Sequence, residues 1–178
     1  DHITGGSSSG TGSAVAARIA FAGLGSDTGG SVRLPSALCG LTGIKPTQTR
    51  VSRYGVMGLS FSLDNVGPLA RTVQDCARIL GIIAGYDSND ATSSNVPVDQ
   101  YESFTIDPKI KGLKIGVPTN YYYNEVTVEV RDLMNASLKV YEGLGAHIIE
   151  VKVPNHEKLT DLANVVMGSE AATLHGAW

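Results

Sequence analysis

The run Gly5-Gly6-Ser7-Ser8-Ser9-Gly10 sets three adjacent hydroxyls between glycines, and a second cluster, "GLGSDTGGSVRLP", places Ser31 directly after Thr28, Gly29 and Gly30. A serine hydroxyl is a poor nucleophile until a neighbour takes its proton, so neither cluster proves catalysis by itself. The second cluster offers more than a hydroxyl. If the turn through its paired glycines is tight, the N–H groups of Thr28, Gly29 and Gly30 converge on one point, an arrangement that stabilises the charge developing on a carbonyl oxygen under attack. A conventional base is less evident. His147 begins a strand-like segment, while His2, His156 and His175 fall in polar or terminal stretches, and no His-Asp pair is spaced in an obvious way to serve Ser31.

The elements around these clusters must position them. From Gly12 to Ala22 the small and apolar residues Ala14, Val15, Ala17, Ile19, Ala20 and Phe21 predict a closely packed helix with the serine run at its N-terminus. "FAGLGSD" reads as a short buried strand and "TGGSVRLP" as a tight turn. Thr72 and Asp75 form a capping-box-like start, after which Val73, Cys76, Ala77, Leu80, Ile83 and Ala84 recur at helical spacing up to Gly85. Residues 87–109 lose periodicity and gain Ser, Asn, Asp and Pro, so they read as an exposed connection. Beyond it, "LKIGVP" (113–118) predicts a buried strand, Val130, Leu133, Met134, Ser137, Leu138, Tyr141 and Leu144 a helical stripe closed by Gly145, and "AHIIEVKVP" a second strand. Strand, crossover helix and strand with short connections imply a parallel pair, and the class is α/β. The last residues, "AATLHGAW", lie in a helix-like pattern.

The bulk of the chain excludes several functions. Its 178 residues, 42% hydrophobic and 17% charged, suffice for one substantial core. A net charge of −3, with 14 Lys+Arg spread along the sequence, leaves no basic patch for nucleic acid or an anionic membrane. Cys39 and Cys76 are far apart without CxxC spacing, which points to buried reduced thiols in a cytoplasmic protein. No apolar run approaches a membrane span, no secretory leader is evident, and no His/Cys/Asp/Glu set has metal-ligand spacing, so neither metal nor cofactor is expected. The chain starts without Met, in what reads as mid-loop, and is expected to be a piece of a longer polypeptide.

"GGSSSGTGSAVAA", "GLGSDTGGSVRLPSALCGLTGIKPT", "RVSRYGV" and "SLDNVGPLARTVQDCARIL" together resemble the amidase signature family, densely from about Gly5 to Asp87. The resemblance implies a mixed central sheet flanked by helices, with residues 1–178 forming part of a single domain: a signature core over 1–87, the connection over 88–112 and a βαβ-containing continuation over 113–178. It also implies a serine, cis-serine, lysine triad. Ser31 matches the nucleophile and Ser7 the bridging serine, Ser8 a supporting neighbour, the amides of Thr28, Gly29, Gly30 and Ser31 the oxyanion hole, and Asp27 and Arg33 a charged pair holding the turn. A lysine acts as a base only when neutral, which desolvation favours, and a hydroxyl between it and the nucleophile passes the proton along. The family's lysine lies upstream of the serine run, outside these residues, and Lys45 resembles a structural position instead.

Other residues have plainer readings. Cys39, eight positions past Ser31, is expected to pack in the core between Leu38 and Leu41. Asp64 and Arg71 read as loop and cap residues, and Tyr121, Tyr122 and Tyr123 as a loop packed on its own domain. The leading functional expectation is a hydrolase of carboxamide C–N bonds, with carbamates and esters as related substrates, through an acyl-enzyme on Ser31. The alternative is the glutaminase component of a tRNA-dependent amidotransferase, acting with a partner. Readings of another class are an anion-binding module, which lacks the expected phosphate-loop patterns, or a non-catalytic relic. No nucleic acid is expected to bind directly, and a homodimer is left open.

Overall fold

A computed structural model describes residues 2–106, 110–154 and 156–177. In chain order the elements are α1 (Ser9–Ala16), β1 (Ala22–Asp27), α2 (Arg33–Leu38), β2 (Thr42–Gly43), β3 (Asn65–Ala70), α3 (Val73–Ile83), α4 (Ser103–Ile106), β4 (Lys114–Pro118), α5 (Val128–Gly143), β5 (His147–Val151) and α6 (His156–His175). They fall into two units, one within Asp1–Ile106 and Val165–Trp178, the other within Asp107–Asn164.

The first unit is built on an antiparallel sheet of order β1-β3-β2, with Asp27 opposite Asn65, Ala22 opposite Ala70, and Thr42 also opposite Ala70. Its centre, "NVGPLA", carries a glycine and a proline, which the alternation of strand residues does not announce. Proline is tolerated there because on the β2 side, just past the Thr42 and Gly43 pairing, Pro68 serves as an acceptor, its carbonyl taking the Ile44 N–H at 3.1 Å. Gly67 is required by close approach: a Cβ there would sit 1.9 Å from the main-chain oxygen of Ile44. Val15 of α1, Val32, Leu69 of β3 and Cys76 of α3 are fully buried and form the core. In α3 the expected cap is present, with Asp75 N–H donating to Thr72 Oγ1 at 3.0 Å.

Helix α1 starts and stops earlier than the composition suggests. The chain turns at Arg18, with φ +62°, and the N–H groups of Ile19 and Ala20 both return to the Ala14 carbonyl. Arg71, distant in sequence, donates to the carbonyls of Val15 and Ala20 and lies over the Phe21 ring, so it is a cap residue for α1. "RLPSAL" is helical, with Pro35 in the first turn, where a missing N–H costs nothing. The connection after Asp87 is irregular but tied down. The Arg50 guanidinium donates to the Val96 and Pro97 carbonyls and to the Tyr101 hydroxyl, and Arg78 pairs with Glu102.

In the second unit β4 and β5 are parallel, Lys114 opposite His147, with α5 between them in sequence. The expected βαβ order is therefore present. Burial differs from expectation: β4 is half-buried, and no residue of α5 is buried, with Leu133 70% exposed. A two-stranded sheet shields one helix only at positions such as Ser137 and Leu138.

The turn between β1 and α2 is held by one carboxylate. Asp27 is fully buried, and its oxygens accept from the main-chain N–H groups of Gly30, Val32 and Arg33 and from the Arg33 guanidinium, at 2.8 to 3.3 Å. Burial raises its pKa, but hydrogen bonds from Arg33 and the main chain outweigh that and hold it below its ordinary value of 3.8. The same carboxylate raises the pKa of Arg33.

Gly67→Ala is expected to lower stability by about 1–3 kcal/mol or more, because main chain is what the methyl would strike. Gly81→Ala, in α3 with nothing within 4 Å of the added carbon, should raise it by about 0.5–1 kcal/mol; urea midpoints report both. Asp27 has a depressed folded pKa, so its contribution is complete above 3.8 and is lost as pH falls through the folded value. Denaturation of wild type and Asp27→Asn across pH should therefore show a stability gap that is constant near neutrality and narrows in acid.

Candidate active site

The first serine segment lies against the second. Ser8 N–H donates to the Ser31 carbonyl at 3.3 Å, and Ser8 Oγ donates to the Ser26 carbonyl at 3.3 Å. Ser8 is the N-cap residue of α1, yet its hydroxyl makes no cap bond and turns to β1 instead. β1 admits it because position 25 is glycine; a Cβ there would stand 2.5 Å from Ser8 Oγ. The Gly6-Ser7 peptide bond is cis. Ser7 is exposed and Ser31 half-buried.

The turn that carries Ser31 is shaped by Gly30, whose φ of +133° is one that side-chain-bearing residues rarely adopt. Its N–H does not join the others. It donates to Asp27 Oδ1 at 2.8 Å, which narrows the expected set of four amides to Thr28, Gly29 and Ser31. Those three N–H groups have no protein acceptor among the described residues. Three donors left open on a rigid turn, beside a hydroxyl, can bind a carbonyl oxygen.

A cavity of about 380 Å³ opens beside this turn. Ser7, Ser26, Thr28 and Asp64 line one part of it, and Val56, Met57, Leu59, Phe61 and Leu174 form an apolar wall. Asp64 is the residue that sequence reasoning undervalued. It is buried; it accepts from Thr28 Oγ1 and from the N–H groups of Leu59 (2.8 Å) and Ser60 (3.0 Å). The available signal was its place in "SLDN", immediately before β3, where the register sets Asn65 opposite Asp27. Glu170 of α6 accepts from the Ser60 and Ser62 hydroxyls, and Arg53 donates to the Phe61 carbonyl, so the wall loop is fixed from several sides.

The remaining candidates lie elsewhere. Lys45 Nζ donates to the Pro46 carbonyl at 2.8 Å and lines a different cavity with Arg50 and Tyr101. Both cysteines are free thiols. Cys76 is buried as expected, and burial pushes its pKa up to about 11, whereas Cys39 is only half-buried beside a Leu38 that is itself exposed. His175 Nε2 lies 2.8 Å from the Gly58 carbonyl, His147 starts β5, His2 is exposed, and the His156 side chain lies outside the described residues. Among the described residues no three metal-ligating side chains gather, and no helix is long and apolar enough to cross a membrane.

Known proteins resemble this chain in sequence and overall fold. The family model described as Amidase matches residues 1–176. The A-type component of glutamyl-tRNA(Gln) amidotransferase from Trichlorobacter lovleyi is 44% identical over 173 residues, covering 97% of this chain and 36% of the relative. Its counterpart from Alkalilimnicola ehrlichii is 46% identical over 173 residues, with the same coverage of 97% and 36%. Among solved structures, the corresponding protein from Thermotoga maritima superimposes with a TM-score of 0.88 at 39% identity, over 96% of this chain and 37% of that one. The native peptide amidase from Stenotrophomonas maltophilia gives 0.85 at 33% identity, over 96% and 35%. The chain thus spans about a third of the length of these relatives. Matched along nearly all its length in sequence and fold, the chain belongs to the amidase signature family.

Proposed function

We propose that this chain carries the nucleophile segment of an enzyme that cleaves carboxamide C–N bonds. The observation that carries the reading is the Ser8 N–H to Ser31 carbonyl bond, which joins the two serine clusters beside three unoccupied main-chain donors. In this reading Ser31 Oγ attacks the amide carbon and its proton passes to Ser7, while the Ser7 proton moves to the base. The oxygen that gains charge is met by the amides of Thr28, Gly29 and Ser31. Collapse breaks the C–N bond, the proton returns to the leaving nitrogen, and water then hydrolyses the acyl ester. The base is the lysine that the family resemblance sets upstream of residue 1. Lys45 does not serve, since its Nζ is held by Pro46 in another cavity.

The finer reading is the glutaminase component of a cytoplasmic amidotransferase, releasing ammonia for a partner that handles the tRNA-linked acceptor. It rests on relatives that bear that name at 44% to 46% identity and weighs more than the general amidase reading. One observation favours the general reading, extended to carbamates or esters: the apolar wall of Leu59, Phe61, Met57 and Leu174 beside Ser7 suits an apolar acyl group better than a charged amino acid.

In the full-length protein a fluorophosphonate probe should label Ser31, and Ser31→Ala should abolish labelling and amide hydrolysis; full activity in Ser31→Ala would refute the assignment. Ser7→Ala should slow acylation by about 10²–10⁴-fold, the range expected for loss of a positioned proton-transfer group, with an unchanged unfolding transition. Glutamine and an apolar carboxamide, assayed with and without any co-purifying partner, separate the two readings. Glutaminase activity that rises with the partner supports the amidotransferase component, and preference for the apolar amide without a partner supports the general hydrolase.

A further inference from the structure

We propose that Asp64 is a positioning residue: its two carboxylate oxygens couple the cavity wall at Leu59 and Ser60 to the turn that holds Ser31. The inference rests on the reading of Ser31 as nucleophile and assigns a role that the triad itself does not include.

The division of labour between the oxygens is the basis. Oδ1 accepts the hydroxyl of Thr28, the first residue of the turn, while Oδ2 accepts the N–H groups of Leu59 and Ser60. Thr28 contributes one of the three open N–H donors, so fixing its side chain also fixes the direction of that donor. A methyl and a hydroxyl on the same Cβ leave threonine few rotamers, and the bond to Asp64 selects among them. Leu59 and Ser60 belong to the loop whose apolar side chains face the cavity.

Several charged or titratable side chains hold this loop, among them His175, whose Nε2 lies 2.8 Å from the Gly58 carbonyl. Besides Asp64, Glu170 accepts from Ser60 and Ser62, and Arg53 donates to Phe61 and, through Nη2, to Thr92. Among the described residues, Asp64 is the one side chain that bonds both the loop and the turn. Displacement of the wall is therefore transmitted through one carboxylate to an oxyanion donor, and a misplacement of about 1 Å there is enough to cost about a hundredfold in rate.

The test uses the full-length protein and the rate of fluorophosphonate labelling at Ser31, with amide hydrolysis alongside. Asp64→Ala and Thr28→Val should each reduce labelling and kcat by about tenfold to a hundredfold with little change in KM. The double variant should be no slower than the slower single one, because both break the same link. Thr28→Ser, which restores the hydroxyl, should recover most of the loss. If Asp64→Ala fails to fold, the Thr28 pair still decides, since Thr28→Val leaves the loop contacts of Asp64 in place. Labelling of Thr28→Val at the wild-type rate, or multiplicative losses in the double variant, would overturn the proposal. Absence of labelling at Ser31 in the wild type would instead remove the reading on which it rests.

Discussion

A carboxylate sealed from water must have its charge answered by donors, or the fold cannot keep it there. Asp27 meets that requirement with three main-chain N–H groups and a two-pronged guanidinium, all drawn from the six residues that follow it. Satisfying one buried ion therefore dictates the course of residues 28–33. Because Gly30 N–H is consumed inward, the amides on either side of it are the ones left open. The same constraint explains the glycine. A chain that must fold back onto Asp27 within three residues adopts φ +133° at position 30, which a side chain would resist.

The second constraint is proximity between segments of main chain. Ser8 reaches the Ser26 carbonyl only because β1 has no side chain at position 25, and β3 accepts the Ile44 carbonyl only because it has none at position 67. Glycines at these two positions thus mark places where two backbones, or a backbone and a hydroxyl, must meet. At Gly6 and Gly10 of the serine run, by contrast, an added Cβ would meet nothing within 4 Å.

Local signals in the sequence were reliable where they were self-contained. The Thr72 and Asp75 cap, the α3 stripe through Cys76 and Leu80, and the strand-helix-strand order from Lys114 to Val151 all depend on neighbours a few residues away, and all are present. The early end of α1 was not legible, since it is enforced by Arg71 from more than fifty positions away along with a turn at Arg18. β3 was hidden because Gly67 and Pro68 interrupt the alternation that announces a strand, although both are tolerated by its particular neighbours. At the site, the serines and the Asp27-Arg33 pair stand out by motif, whereas Asp64 does not. A lone aspartate in a loop has no periodicity, and its importance lies entirely in which N–H groups the fold brings to it.

The chemistry offered to a substrate follows from what the cavity's own groups have left over. Its polar end holds Arg53, Asn89, Asp90 and Thr92, a set that would suit an amino acid with both charges. Yet the Asp90 carboxylate already accepts from the Arg53 main-chain N–H and from Thr92, and the Arg53 guanidinium already donates to Phe61 and Thr92. Arg53 Nε is the one buried side-chain polar atom among the described residues that lacks a partner. A ligand anion arriving here meets one uncommitted donor, Arg53 Nε, while each further contact with the Arg53 or Asp90 groups displaces an existing bond and gains correspondingly less. The apolar wall carries no such prior commitment. Leu59 and Phe61 remain substantially exposed, so covering them with an apolar group releases their full hydrophobic contribution. Polar contact at this end is thus limited mainly to Arg53 Nε, while apolar contact with the wall is available without rearrangement.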